Sequence, residues 1–340
     1  MSTDKVTSVE VAKRAGVSRS AVSRVFTPGA SVSPRMTAKV RRAADELGYR
    51  PNVLARSLIT GRSRIVGLVV AYLDNLFYPE AIEKLSKALQ DQGYHALMFM
   101  AANTGAETDA VLEDFLDYQV DAIVAASVSL SNDITRRCEA AGIPIVLFNR
   151  GQDDKRLSSV TSDNLTGGRR VAEFLLRGQH ERIGYIAGWE GASTQRDREA
   201  GFLAGLAQGG ASLTVRGEGG FDLEKARVAA REMFQGQSRP DAVFVANDHM
   251  AFAVMDVLRS ELGLSVPGDV SVVGYDDVSL AAWPSYNLTT VRQCSNKMAA
   301  ATVDALVARL DGSHEKAQQV LISGDLILRS SARIPKGWTT

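Results

Sequence analysis

From residue 65 onward the chain alternates short, continuous apolar runs with longer stretches in which apolar residues recur every three or four positions. The runs Ile65 to Ala71, Ala96 to Met100, Ala122 to Ala126 and Ile143 to Phe148 predict buried parallel strands, because a strand covered on both faces has no polar side to show. Between them Pro79 to Gln92, Ala106 to Tyr118 and Ser131 to Ala141 carry the helical period. The rhythm then repeats. Arg182 to Ala187, Ala242 to Ala246 and Val270 to Gly274 read as strands, separated by helices over Gly167 to Leu176, Thr194 to Gln208, Leu223 to Phe234 and Met250 to Leu262. Two doubly wound parallel-sheet lobes follow. Ligands in such folds sit at the carboxyl ends of the strands, so two facing lobes predict a cleft site.

The first sixty residues have a different texture, that of four short helices. Thr7-Ser8-Val9-Glu10 has the capping-box form, in which hydroxyl and carboxylate each satisfy a backbone group at a helix start. Val11, Ala12 and Ala15 form a small apolar stripe, and Gly16 can end the helix in a left-handed conformation. Ser18 is a second N-cap, with Val22 and Val25 as the buried stripe of a helix from about Arg19 to Phe26. Ser33-Pro34 opens a third by the N1-proline rule, closed by Val40, Ala43, Ala44 and Leu47 and ended at Gly48. After Pro51, Asn52 to Leu58 has room for about two turns, too few to be stable alone in water. Arg19, Ser20, Ser23 and Arg24 lie opposite Val22 and Val25, where a recognition helix meets base edges in the major groove. Arginine can bond guanine bidentately, and serine reaches base edge or phosphate. On pattern alone the pair of helices also fits any helical hairpin.

Charge changes that balance. The 340 residues carry 39 bases and 39 acids, a net of zero. Residues 1–64, however, hold thirteen Lys or Arg against four Asp or Glu, a net of +9, which leaves −9 on the remainder. A basic head on an acidic body suits contact with a polyanion, where counterion release rewards phosphate neutralisation, although a solvated basic face has the same composition. Cys138 and Cys294 lie far apart without metal-ligand spacing and fit a reducing cytoplasm. Residues 1–5 lead into polar sequence, and no run approaches eighteen apolar residues, so neither export nor a membrane partner is expected. Glycine-lysine phosphate loops, nucleophile elbows and His-Glu-x-x-His are missing, and His95, His180, His249 and His314 are scattered; no enzyme, metal or cofactor is expected.

Val11-Ala12-Lys13-Arg14-Ala15-Gly16-Val17-Ser18, Val22-Ser23-Arg24-Val25 and Gly48-Tyr49-Arg50-Pro51-Asn52 with Ala55-Arg56-Ser57-Leu58 resemble the headpiece and hinge of the lactose/galactose repressor (LacI/GalR) family. The resemblance implies a hinge helix that pairs with its copy in the minor groove, with Asn52, Ala55 and Leu58 on DNA and Leu58 wedged between base steps. A linker leucine packed in a core is the alternative for Leu58. The body is similar to the same family's regulatory domain through Ser162-Asp163-Asn164, Arg198-Glu199-Ala200-Gly201-Phe202, Ala246-Asn247-Asp248 and Gly274-Tyr275-Asp276-Asp277. The implied fold is an N-terminal all-α helix-turn-helix headpiece plus an α/β regulatory domain of two doubly wound parallel-sheet lobes, of the type I periplasmic-binding-protein kind. Headpiece 1–50, hinge 51–62 and regulatory domain 63–336 are the expected divisions, with lobe 1 about 63–160 and 292–324 and lobe 2 about 161–291 and 325–336.

By the same resemblance Phe77, Tyr78, Asn149, Arg198, Phe221, Asn247 and Asp276 meet a small-molecule effector. Aromatic faces stack on apolar ligand faces, and Asn, Asp and Arg bond hydroxyls. Phe221 as packing, and Arg198 with Asp276 as a structural ion pair, are the alternatives. Asn149-Arg150 departs from the family's frequent acidic residue, and Arg196 adds a cation, so the expected effector is a sugar, sugar acid or similar metabolite, with a sugar acid or other anionic metabolite a live reading beside a neutral sugar. Nothing after Leu328 resembles the family's leucine-heptad tail, which favours a homodimer on pseudo-palindromic, double-stranded operator DNA. The expected function is a cytoplasmic transcriptional repressor of a metabolic operon, nucleoid-associated when on DNA. The rival is a solute-binding protein without DNA activity, against which the basic head speaks.

Overall fold

A computed structural model describes residues 6–27, 30–50, 62–101, 105–152, 154, 156–236, 238–313 and 316–338, without the side chains of 105–107. The chain divides into two units, Met1–Arg64 and Ile65–Thr340.

The first unit has three described helices: α1 Ser8–Ala15, α2 Arg19–Val25 and α3 Pro34–Leu47. Thr7 N–H donates to Glu10 Oε2 at 2.8 Å, so the carboxylate satisfies a backbone donor that the helix start leaves over. That bond also holds the Glu10 carboxyl below its ordinary range. Gly16 and Gly48 take left-handed φ of 57° and 65° and close α1 and α3. Val17 N–H then reaches back to the Ala12 carbonyl and Tyr49 N–H to that of Ala44, which turns the chain sharply after each helix. Val11, Val22 and Val40, one from each helix, are buried at the centre with Ala12, Ala15, Ala43 and Ala44. Tyr49 and Phe26 cover one end, ring centroids 5.9 Å apart. The segment 51–61, with Asn52, Ala55 and Leu58, lies outside the described residues.

The second unit holds two six-stranded sheets. In chain order its elements are β1 Ile65–Val70, α4 Phe77–Asp91, β2 His95–Met100, α5 Gly105–Asp117, β3 Ala122–Ala126, α6 Asn132–Ala140, β4 Ile145–Phe148 and β5 Ser158–Ser162. Then come α7 Asn164–Arg177, β6 Ile183–Ala187, α8 Ser193–Gln208, β7 Val215–Glu218, α9 Leu223–Phe234, β8 Ala242–Val245, α10 Asp248–Asp256 and β9 Ser271–Asp276. The chain closes with β10 Thr289–Arg292, α11 Ser295–Leu310, β11 Gln319–Ile322 and β12 Leu326–Ile327. The first sheet runs β11-β5-β4-β3-β1-β2 and the second β12-β10-β9-β8-β6-β7. Every pairing is parallel except β10 with β12. The backbone therefore passes between lobes three times, after β5, β10 and β11.

Apolar runs form the central strands: Ala-Ile-Val-Ala-Ala of β3 is buried throughout, as a strand with both faces covered requires. β5 differs. Ser158-Ser159-Val160-Thr161-Ser162 is also fully buried, and three of its hydroxyls have partners: Gln318 N–H donates to Ser158 Oγ, Ser159 Oγ bonds the Gln319 side chain of β11, and Ser162 Oγ meets Tyr275 OH. Buried hydroxyls are tolerated only with such partners. Several elements depart from the sequence pattern at their ends, α7 for one beginning at Asn164 instead of Gly167. α4 begins at Phe77, two residues before Pro79; β9 runs on to Asp276; and α10, beginning at Asp248, ends in a π turn over Val257–Glu261.

Glycine sets the closest helix contact. A Cβ on Gly168 of α7 would stand 2.1 Å from the Arg198 carbonyl oxygen, and one on Gly201 of α8 would stand 2.0 Å from that of Leu165. Only bare backbone allows this approach, and it fixes where Arg198 leaves α8.

Candidate functional site

Two surfaces carry chemistry, one on each unit. On the first, α2 buries Val22 and turns Arg19, Ser20, Ser23 and Arg24 outward, all exposed. Ser18 caps the helix by accepting from Ala21 N–H at 3.2 Å, and its hydroxyl lies 2.9 Å from that of Ser20. Among the described residues, no ion-pair partner within 4 Å holds Arg19 or Arg24. Arg35, Lys39, Arg41 and Arg42 are exposed along α3. The unit thus presents free guanidinium groups and hydroxyls on a short helix fixed by its neighbours, a donor set suited to base edges and phosphates.

On the second unit, side chains from the carboxyl ends of strands of both sheets converge. Tyr72 and Asn75 follow β1, Tyr78 stands in the first turn of α4, and Asn149 and Arg150 follow β4. From the other lobe come Thr194 and Arg198 of α8, Phe221 after β7, Asn247 after β8, Asp276 ending β9 and Gln293 after β10. The space they leave between them is about 10 Å³, room for about one water. Tyr72, Arg150 and Phe221 also line an outer vestibule of about 470 Å³ with Asp74, Trp189, Gly220, Asp222 and Lys225. These three side chains therefore form the wall between the inner space and the vestibule.

Hydrogen bonds hold the inner wall in two sets, one centred on each lobe. Arg198 donates from Nε to Asn164 Oδ1 at 2.8 Å and from Nη1 to the Ala246 carbonyl at 2.6 Å, and its Nη2 lies 3.5 Å from Asp276 Oδ1. The guanidinium also sits 3.7 Å above the ring of Tyr275. Asp276 accepts from Gln293 Nε2 at 2.7 Å, and Asn75 Nδ2 reaches it from the opposite lobe at 3.5 Å. Burial pushes the Asp276 carboxyl up, and the Arg198 charge with the hydrogen bonds from Gln293 and Asn75 opposes this. Asp248, wholly buried beside it, is pushed up to about 8 by burial and by the Asp276 charge, against hydrogen bonds from Thr290 Oγ1 and Val278 N–H. In the other lobe Asn149 Nδ2 donates to Tyr78 OH at 2.9 Å, and that hydroxyl bonds Ser127 Oγ.

Backbone strain collects around the same space. Ser127, Asn149, Phe221, Asp276 and Asp277 all have φ in the left-handed region, at 59°, 70°, 63°, 126° and 57°. Non-glycine residues persist there where the surroundings over-determine them, most often at ligand sites.

Of the eight effector residues named from the sequence, six line the inner space: Tyr78, Asn149, Arg198, Phe221, Asn247 and Asp276. Phe77 does not. It is 3% exposed and stacks on Phe148 at 6.3 Å, forming support behind Tyr78 instead of lining the space. Arg196 does not either: it is exposed on α8. Two residues along a helix is a rotation of about 200°, so Arg196 and Arg198 cannot face the same cavity. Asn247 spends its Oδ1 on capping α10, accepting from Met250 N–H at 3.0 Å. Sequence does not single out Tyr72, Asn75, Thr194 or Gln293: Tyr72 and Asn75 follow a legible strand, Thr194 opens a legible helix, and Gln293 follows β10, which the pattern does not show. Arg150 was visible as a cation beside Asn149. Among the described residues no group of His, Cys, Asp or Glu could hold a metal ion, and no described helix is long and apolar enough to cross a membrane.

Comparison with known proteins matches both units to known domains. Residues 9–52 match the model for bacterial regulatory proteins of the lacI family, and residues 171–332 match that for a periplasmic binding protein-like domain. The HTH-type transcriptional repressor PurR of Vibrio atlanticus is 31% identical over 320 residues, covering 90% of this chain and 93% of that protein. Among solved structures, the Lac repressor dimer bound to operator and the anti-inducer ONPF superposes with a TM-score of 0.87. It is 27% identical, covering 96% of this chain and 99% of that one. A complex of the transcriptional regulator CelR with cellobiose gives 0.72 at 30% identity, covering 96% and 100%. The chain belongs to the lacI family of bacterial regulatory proteins and is a DNA-binding transcriptional regulator, not an enzyme.

Proposed function

We propose that this protein is a cytoplasmic repressor of a metabolic operon that binds a pseudo-palindromic operator as a homodimer and is controlled by a small polar metabolite held between its lobes. One headpiece serves each half-site, with Arg19, Ser20, Ser23 and Arg24 at base edges and phosphates. Asn52, Ala55 and Leu58 engage the minor groove at the centre, Leu58 as the wedge. The observation that carries the reading is the joint presence, in one chain, of α2 with Arg19 and Arg24 exposed and a two-lobed body whose strand ends converge on buried polar groups. The operator-bound Lac repressor dimer and the cellobiose-bound CelR support it by similarity.

Control follows from differential affinity. The inner space is too small for a sugar, so a ligand that enters must alter how the lobes meet. That favours one arrangement of the two hinge segments over another and thereby shifts the DNA-binding population.

A reporter gene placed behind the DNA upstream of this protein's own coding region tests the proposal. Co-expression of the protein should lower reporter output and Arg24→Ala should restore it. Unchanged or increased output would contradict repression.

A further inference from the structure

We infer that the cleft binds a polyhydroxylated carboxylate, a sugar acid instead of a neutral sugar, with its carboxylate on the guanidinium of Arg150. The inference rests on the reading of this cleft as the effector site and names the ligand's chemical class.

Charge carries it first. Arg150 is 6% exposed and donates from Nη1 to the Ser127 carbonyl and from Nη2 to Tyr72 OH, both at 2.9 Å and both neutral. The rings of Tyr72, Trp189 and Phe221 lie 5.9, 5.5 and 5.9 Å from its guanidinium carbon. They favour a cation there but carry no countercharge. Among the described residues, no carboxylate comes within 4 Å of it. Arg198, by contrast, has Asp276. The inner site therefore holds Arg150, Arg198 and Asp276, one positive charge in excess where a lone charge is expensive, while Asp74, Asp222 and Lys225 stand in the outer vestibule.

Unspent hydrogen-bonding atoms define the rest of the ligand. Arg150 Nε, Asn149 Oδ1 and Gln293 Oε1 are buried without a partner among the described residues, and all three residues line the inner space. The Gln293 amide is oriented by donating its nitrogen to the Asp276 carboxylate, so its oxygen must face a donor. Two waiting acceptors call for hydroxyl groups, and one waiting charged donor calls for an anion. A neutral sugar answers the acceptors and leaves the charge. A phosphate ester, near −2 at neutral pH, reverses the charge. A single carboxylate on a hydroxylated chain or ring matches both. Arg196, exposed on the far side of α8, plays no part.

Calorimetric titration of the full chain tests this, with Trp189 fluorescence as a second readout. The probes are D-glucose, D-gluconate, D-glucuronate and glucose 6-phosphate, and the corresponding galactose set. In at least one set the carboxylate should bind about 30-fold or more tightly than the neutral sugar. Arg150→Gln should erase that advantage, Arg150→Lys should keep part of it, and both variants should melt within a few degrees of the parent. A neutral sugar or phosphate ester as the best ligand, a carboxylate preference that survives Arg150→Gln, or no binding by any member would overturn the inference. A neutral ligand lost on Asp276→Asn would sink the charge assignment and leave the cleft reading standing. A ligand indifferent to both Arg150→Gln and Asp276→Asn would sink the cleft reading itself.

Discussion

Arg198 and Asp276 meet inside the second lobe with their side chains 3% and 2% exposed, Nη2 3.5 Å from Oδ1. At that depth neither charge has water to fall back on. Arg198→Ala should therefore lower stability by about 3–5 kcal/mol, chiefly by leaving Asp276 buried and unpaired. The double variant with Asp276→Asn should cost less than the two single changes together, by roughly 1–3 kcal/mol. Urea denaturation of the four proteins measures the coupling; strict additivity would show that the pair is not an interacting unit.

The same arginine is placed by glycine. Gly201→Ala pushes a methyl to 2.0 Å from the Leu165 carbonyl oxygen, so α7 and α8 must separate. We expect a loss of about 1–3 kcal/mol from overpacking. Gly151→Ala, where an added Cβ meets nothing within 4 Å, should stay within about 0.5 kcal/mol of the parent. Thermal melts of the two variants decide it, and equal effects would remove the packing argument.

Asp248 ties stability to pH. Its carboxyl is raised by burial from 3.8 in the unfolded chain to about 8 in the folded one, so the native state holds a proton that the unfolded state has lost across that window. Its contribution is complete below pH 4 and is lost as pH rises toward 8 and beyond. In Asp248→Asn the amide can donate to Thr290 Oγ1 and accept from Val278 N–H, the two partners the acid has. Melting temperature measured from pH 5 to 9 should fall more steeply in the parent than in the variant. Parallel curves would mean that Asp248 is ionised throughout.

Sequence pattern made the two lobes legible because central parallel strands are written as unbroken apolar runs, as in Ala122 to Ala126 and Ile145 to Phe148. β5 and β10 escaped because Ser158-Ser159 and Thr289-Thr290 look like loop; they are buried only because partners elsewhere in the chain take their polar groups, as the Arg329 backbone does for the Thr289 hydroxyl and Ser331 Oγ for the Thr289 N–H. The headpiece was legible through local devices, Thr7 with Glu10 and Gly16 after Ala15, which need no tertiary knowledge. The site was half legible. Residues at strand ends, such as Asn149, Asn247 and Asp276, announce themselves by position. That Arg196 faces solvent followed from helical spacing relative to Arg198, whereas the isolation of Arg150 depends on Tyr72, Trp189 and Phe221, brought together from three separate segments.

Whether the headpiece reads DNA is measured by fluorescence anisotropy of a labelled duplex from the protein's own upstream region, titrated with the full chain at several salt concentrations. Retention should be tight and weaken steeply with salt, with a shallower salt slope or about tenfold or greater loss for Arg24→Ala and a comparable loss for Leu58→Ala. Failure to retain the duplex above a scrambled control, or retention unchanged by both substitutions, would contradict DNA reading by the headpiece.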